Sequence, residues 1–120
     1  MNILLPWPSK DLSPNSRVHW RVKADAVKKA RLDAWHITLL AIPKVWHIPS
    51  GQIDVHTIFH PPNKRRYDMD NLIARMKGAN DGIADALKVD DYRFKLSFEI
   101  GESIKGGQVE ITIAEKLARG

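Results

Sequence analysis

The chain has 120 residues, a formal net charge of +5 at pH 7 and no cysteine. This length suits one domain, and the missing thiols exclude disulfide frameworks, cysteine-ligated zinc, iron–sulfur clusters and a cysteine nucleophile. A basic protein of this size prefers polyanions, nucleic acid first. No apolar run reaches the roughly 18 to 20 residues of a membrane span, and the N-terminal run is too short for a signal peptide. We therefore expect a single domain over residues 1–120, located in the cytoplasm, with no membrane partner.

The charge is unevenly distributed along the chain. Residues 1–67 contain eleven basic and four acidic residues, a net of +7, whereas residues 68–120 contain eight and ten, a net of −2. Six of the later acids fall between Asp68 and Asp91. A basic protein with such a local concentration of acids has either a solvated acidic helix face or a cation site.

The first half of the chain predicts a strand, a loop and a long helix. Residues 2–5 are apolar apart from Asn2 and end at Pro6, which indicates an opening strand. Residues 6–18 contain three prolines and predict an irregular loop. Residues 21–42 lack glycine and proline and repeat their apolar positions at helical spacing, so we predict a helix that Pro43 ends.

The second half predicts three strands and a second main helix. Apolar residues alternate with polar ones over 53–60, 94–100 and 109–113, which is strand periodicity. The short connector 101–107 predicts that the last two strands form an antiparallel hairpin. The predicted fold class is α+β, with a small mixed, largely antiparallel sheet of about four strands and two main helices.

A helix across residues 68–91 would separate apolar from polar residues. On a helical wheel, Asp70, Lys77 and Asp81 share one side. The opposite side is an apolar stripe made of Leu72, Met76, Ala79, Ile83 and Leu87. Gly78 and Gly82 each cost about 1 kcal/mol against alanine in a helix interior. Their presence predicts that another element or a ligand approaches the backbone closely.

The acids at the two ends of this segment carry the functional hypothesis. Asp68 stands just ahead of the helix, where it is either a cap or a cation ligand. Asp90 and Asp91 precede the next strand, and one of the two would return to Asp68 and Asp70 if that strand lies beside the helix. Three converging carboxylates repel one another unless a cation lies between them, and such oxygens suit Mg²⁺ or Mn²⁺. The alternative is a cap, a solvated acid and a simple Lys77–Asp81 pair.

The basic run 64–66, the Asp-x-Asp-Asn that opens the helix and the Asp-Asp before a strand resemble one known family. These features are similar to the RusA-type Holliday junction resolvases, or crossover junction endodeoxyribonucleases. The matching segments are Arg65-Arg66-Tyr67-Asp68-Met69-Asp70-Asn71-Leu72, Asp81 with Asp85-Ala86-Leu87, Val89-Asp90-Asp91, Leu5-Pro6-Trp7-Pro8-Ser9 with Asn15, Arg17 and Trp20, and Lys105-Gly106-Gly107. The resemblance therefore extends over nearly the whole chain.

The resemblance implies a small homodimeric nuclease that requires Mg²⁺, for which Mn²⁺ is a possible substitute. It implies paired, symmetric nicking of four-way DNA junctions, with a role in recombination and repair. The family's catalytic and metal-binding acids map to Asp68, Asp70 and Asp91. Its catalytic lysine maps to Lys77 when the downstream acids are aligned, with Arg75 as the rival. The predicted DNA-binding residues are Lys64, Arg65, Arg66, Arg17 and Arg75.

Two other functions stay open at this stage. One is a non-catalytic nucleic-acid-binding module, in which the acids are structural and the basic residues bind DNA. The other is a metal-dependent nuclease that acts on other branched or single-stranded DNA. The five histidines share no metal-ligand spacing, so we assign them no catalytic role.

Overall fold

A computed structural model describes residues 1–47 and 49–115. In chain order the elements are β1 (Asn2–Pro6), a 3₁₀ turn (Lys10–Leu12), α1 (Trp20–Ala41), β2 (Ile53–His60), α2 (Met69–Arg75), α3 (Lys77–Leu87), a second 3₁₀ turn (Asp91–Arg93), β3 (Phe94–Ile100) and β4 (Gln108–Glu115). The four strands form one mixed sheet, so the predicted α+β class is confirmed. No helix within the described residues is long and apolar enough to cross a membrane.

The sheet has the strand order β1-β4-β2-β3. β4 runs antiparallel to both β1 and β2, whereas β3 runs parallel to β2. The predicted β3–β4 hairpin is therefore wrong, although both strands exist. Alternation identifies a strand but not its neighbour, and here the connector crosses the end of β2 before β4 begins. The N–H of Gly101 donates to Phe59 O at 2.9 Å, and that of Ile104 donates to Pro61 O at 2.9 Å.

One face of the sheet packs against the helices and forms the core. Along β2, Ile53, Val55, Thr57 and Phe59 are fully buried, while the residues between them remain half-buried on the other face. The predicted apolar stripe lies in the same core, with Leu72, Met76, Ala79, Ile83 and Leu87 all buried. That part of the sequence prediction is confirmed.

The second predicted helix is divided into α2 and α3 at Met76. This residue has φ −88° and ψ −6°, and its N–H donates to the Ile73 carbonyl oxygen at 3.0 Å. The bond spans three residues instead of four, so the turn tightens there before α3 continues. The tightened turn occurs on the buried stripe, where neither glycine nor proline marks it.

α1 lies directly against α3 because two glycines leave room for its backbone. A Cβ atom on Gly82 would overlap the Arg31 carbonyl oxygen, and one on Gly78 would lie 3.1 Å from the Val27 carbonyl oxygen. The close approach predicted at these glycines is thus made by another element. Arg31 then pairs with Asp85 at the rim, with Nε–Oδ2 at 2.6 Å and Nη2–Oδ1 at 3.0 Å.

Candidate nucleic-acid interface

The loop between β2 and α2 presents three basic side chains to solvent. Lys64, Arg65 and Arg66 are all exposed. The side-chain oxygen of Asn63 accepts hydrogen bonds from the Arg65 N–H at 2.9 Å and the Tyr67 hydroxyl at 3.2 Å. The Arg65 guanidinium also lies over the Tyr67 ring, 5.5 Å from its centroid. The loop is therefore held locally while its charges stay free to meet phosphate.

Asp68 and Asp70 follow this basic loop at the start of α2. Asp68 Oδ1 accepts from the N–H groups of Asp70 at 2.9 Å and Asn71 at 3.4 Å, so Asp68 is a helix cap. Asp70 is exposed, and its carboxylate has no hydrogen bond or ion pair with any residue of 1–47 or 49–115. One acid thus has a structural role, and its neighbour is free to bind a ligand.

α2 is tied to the N-terminal loop by two polar side chains. Asn71 Nδ2 donates to Ser13 Oγ at 2.7 Å. Arg75 donates from Nε to Asn71 Oδ1 at 3.0 Å and from Nη1 to the Pro8 carbonyl oxygen at 3.4 Å. Partial burial lowers the pKa of the Arg75 guanidinium, an effect that the nearby Tyr67 partly opposes. Arg75 therefore positions α2, a role that the sequence did not indicate.

Lys77 and Arg17 are the remaining predicted basic residues. Lys77 opens α3 with an exposed side chain, and its Nζ lies 3.9 Å from Asp81 Oδ2. This is the simple pair that the sequence left as an alternative. Arg17 is exposed just ahead of α1, and its side chain makes no ion pair or hydrogen bond in the described part of the chain. Both side chains are exposed to solvent and can reach a phosphate.

Asp91 lies at the opposite end of the molecule from Asp68 and Asp70. The neighbouring Arg93 donates to the carbonyl oxygens of Gly51 and Pro49, just before β2 begins. β2 has eight residues, about 23 Å at roughly 3.3 Å per residue, and runs from this end toward the Asp68 end. The sequence allowed Asp91 to return to the other two acids. The parallel pairing of β3 with β2 prevents this return.

The three acids of one chain do not fit a single Mg²⁺ ion. Within residues 1–47 and 49–115, no group of three or more histidine, aspartate or glutamate side chains could hold a metal ion together. Asp68 and Asp70 offer the hard oxygen atoms that Mg²⁺ prefers, but they are two ligands rather than three.

One cleft lies away from these acids. It has a volume of about 460 Å³ and lies between α1 and the N-terminal loop, with a mainly apolar lining that includes Leu5, Trp7, Leu12 and Met76. Arg75 reaches it, but Asp68, Asp70 and Asp91 do not. The basic loop 64–66 and the acids Asp68 and Asp70 lie instead on an open surface, which suits a large polyanion better than a small enclosed substrate.

A polar network on the other face of the sheet was missed by the sequence analysis. His56 lies between Ser97 and Glu99, with Nδ1–Oγ at 2.6 Å and Nε2–Oε1 at 2.8 Å. His60 Nε2 is 3.3 Å from Glu110 Oε2. His56, Ser97 and Glu99 come together only through the parallel β2–β3 register. The periodicity of the sequence therefore could not predict their contact.

Comparison with profiles of known protein families finds no match. The chain is 44% identical over 117 residues to a protein of Xylella fastidiosa (strain Temecula1 / ATCC 700964), and the match spans 93% of this chain and 74% of that protein. The chain belongs to that protein's family. The relative is described as an uncharacterized protein, so membership assigns no activity.

Proposed function

We propose that the chain is a metal-dependent, structure-selective endodeoxyribonuclease that resolves four-way DNA junctions by paired, symmetric nicks. The proposal rests mainly on one observation. The free carboxylate of Asp70, next to Asp68, directly follows the exposed residues Lys64, Arg65 and Arg66. Motif resemblance to RusA-type resolvases supports the reaction and a cytoplasmic role in recombination and repair.

The basic and acidic side chains have different roles in the proposed reaction. Lys64, Arg65 and Arg66 bind phosphates on the DNA backbone, and Arg17 extends this contact. Asp68 and Asp70 repel a phosphate unless a cation lies between them and it. Hard cations such as Mg²⁺, with Mn²⁺ as a substitute, prefer carboxylate oxygen ligands. Lys77 is a better candidate than Arg75 to offset negative charge. The Arg75 guanidinium is partly buried and donates two hydrogen bonds within the chain, whereas Lys77 is exposed and has only a 3.9 Å pair with Asp81.

The proposed enzyme is a homodimer. A four-way junction has two-fold related strands, so a two-fold dimer with two sites matches its substrate. Because Asp91 lies far from Asp68 and Asp70 in one chain, all three acids act together only if a second copy supplies Asp91.

The second candidate is a non-catalytic nucleic-acid-binding module. The capping bonds of Asp68 and the Lys77–Asp81 pair favour it, because both are structural uses of charge. In this module the basic loop binds DNA and no bond is cut.

Asp70→Asn separates the two functions. We expect this variant to stay folded and to bind a labelled four-way junction, but to lose cleavage in Mg²⁺, because the substitution keeps the side-chain size and removes the charge. Asp25→Asn on α1 is the matched control, because it changes an exposed acid with no side-chain partner in the described chain. Melting curves, binding and cleavage are measured on the same preparations, with EDTA as the metal-free reference.

Normal cleavage by folded Asp70→Asn would remove Asp70 from the site, and wild-type binding without cleavage in Mg²⁺ or Mn²⁺ would favour the module. Mixing Asp70→Asn with Asp91→Asn chains tests the source of the third acid. If each site takes acids from two chains, the mixed dimer has one intact site and cleavage returns. If each chain works alone, the mixture stays inactive.

A further inference from the structure

The outer edge of β3 is unusually open to another strand. β3 has a strand neighbour on one side only in the sheet of the described residues, and it pairs with β2 over seven consecutive positions. It contains no proline, whereas the opposite edge strand, β1, ends at Pro6. Long, regular edge strands with free N–H and C=O groups are templates for pairing with another chain.

The apolar surface of the core continues onto this edge without a cover. In the sheet register, Leu96 lies beside Val55 and Ile100 beside Phe59. Val55 and Phe59 are completely buried, but Leu96 is 42% and Ile100 is 43% exposed. Leu96 and Ile100 thus share the helix-facing side of the sheet and lack a partner for much of their surface.

The sequence of β3 is complementary to itself in the antiparallel direction. With Ser97 opposite Ser97 of a second copy, Lys95 meets the partner's Glu99, and Leu96 meets the partner's Phe98. Phe94 then meets the partner's Ile100. Opposed residues share a face, so charges meet opposite charges on one face and apolar groups meet apolar groups on the other.

We infer that β3 is the interface of a two-fold dimer, in which two copies pair their β3 strands antiparallel about Ser97 and join their sheets into one of eight strands. This specifies the interface of the homodimer in the proposed function, but it rests on the self-complementarity of β3. A shift by two residues places Lys95 opposite Ser97 or Gly101 of the partner and loses both of its ion pairs with Glu99. A shift by one residue places charges against apolar groups.

Lys95→Glu tests this interface. Symmetry makes the substitution act twice, because two attractions between Lys95 and the partner's Glu99 become two repulsions. Sedimentation should show wild-type protein at about twice 13.6 kDa, and we expect the variant's dimer dissociation constant to rise at least about tenfold. Lys28→Glu is the matched control, because it makes the same charge change at an exposed α1 position that has no ion pair among the described residues.

Mixing two variants provides a rescue. Glu99→Lys alone should also dissociate, because the introduced lysine would face the partner's Lys95. Mixing Glu99→Lys with Lys95→Glu, however, allows the two variants to form a heterodimer. In the heterodimer, the Lys95→Glu chain offers acids at both positions and the Glu99→Lys chain offers lysines at both, so each cross-strand pair again joins opposite charges and the mixture should return to the dimer mass. Far-UV circular dichroism checks that each variant is folded, since Glu99 also contacts His56.

Three results would overturn the inference: a wild-type protein that is monomeric up to millimolar concentration, a Lys95→Glu dimer of unchanged affinity, or two dissociated variants that do not reassemble when mixed. Sedimentation measures the mass of the assembly and does not depend on DNA cleavage. A protein that dimerises without cutting DNA is therefore distinguished from one that does not dimerise through β3.

Discussion

The α1–α3 contact and the β3 edge are two surfaces of the molecule that differ in how they are covered. At the first, Gly78 and Gly82 let α1 approach α3 so closely that an added Cβ on Gly82 would overlap backbone. At the second, Leu96 and Ile100 remain more than two-fifths exposed on the same side of the sheet as the core. One surface is completed within the chain, and the other is left available for a partner.

This difference shows that apolar periodicity records a buried face without saying which molecule buries it. The apolar stripe of α3 is buried in the core of the same chain, against the sheet and α1. β3 also has an apolar face, produced by strand alternation, yet Leu96 and Ile100 on that face remain partly exposed. The stability of the monomer should therefore depend strongly on the first surface and weakly on the second.

Leu72→Ala and Leu96→Ala should show the largest contrast. Leu72 is fully buried, so its truncation should lower the free energy of unfolding by about 3 kcal/mol through lost burial and a cavity. Leu96 is 42% exposed, so the same change should cost less than about 1 kcal/mol in dilute protein. Urea denaturation measures both. Equal losses would mean that β3 is covered in the monomer.

Gly82→Ala should destabilise the protein by about 2 kcal/mol, because the added methyl group forces α1 and α3 apart. Gly78→Ala is the internal control. Its Cβ would meet the Val27 carbonyl oxygen at 3.1 Å, and the gain in helix propensity, up to about 1 kcal/mol, should offset much of that strain. Thermal unfolding of the two variants measures these effects. A Gly82→Ala protein as stable as wild type would contradict the close contact between α1 and α3.

Asp85→Asn should produce the smallest effect, limited to part of the pH range. Hydrogen bonds from Arg31 lower the pKa of Asp85 below its ordinary value of 3.8, with desolvation opposing and charge attraction helping. A lowered pKa stabilises the fold above the unfolded-state pKa, and this contribution is lost as the pH falls through the folded-state pKa. The stability gap between wild type and variant should thus be constant near neutrality and shrink below about pH 4.

Denaturation at several pH values, with and without about 1 M salt, measures that gap. Asp25→Asn is the control for a simple loss of charge. The same pH profile in wild type and Asp85→Asn would show that the ion pair between α1 and α3 contributes nothing.

Local pattern was enough to predict the elements but not their neighbours. The alternation over 53–60 and the helical spacing over 21–42 correspond closely to β2 and α1, because burial on one face imposes these periods. The turn at Met76 was not predictable, since Met76 fits the apolar stripe whether or not the helix continues. The β3–β4 hairpin was wrong because a seven-residue connector serves equally to join neighbours or to cross an intervening strand.

In the candidate site, likewise, local proximity was predictable from the sequence, but contacts that depend on the whole sheet were not. Asp68 and Asp70 are two residues apart and start one helix, so their proximity follows from local structure. The position of Asp91 depends on the direction of β3 relative to β2, which is a property of the whole sheet. The role of Arg75 was likewise hidden, because its partner Pro8 is 67 residues away in the chain.

The bonds from Asn71 to Ser13 and from Arg75 to Pro8 have a consequence for local opening. They join an irregular loop to α2, so neither segment can move away from the other without breaking these two hydrogen bonds. Amide hydrogen exchange in the two segments should then follow one opening free energy, as in a single cooperative unit. The stability of the helix that carries Asp70 is therefore coupled to that of the N-terminal loop, and a substitution that removes either bond should speed amide exchange in both segments.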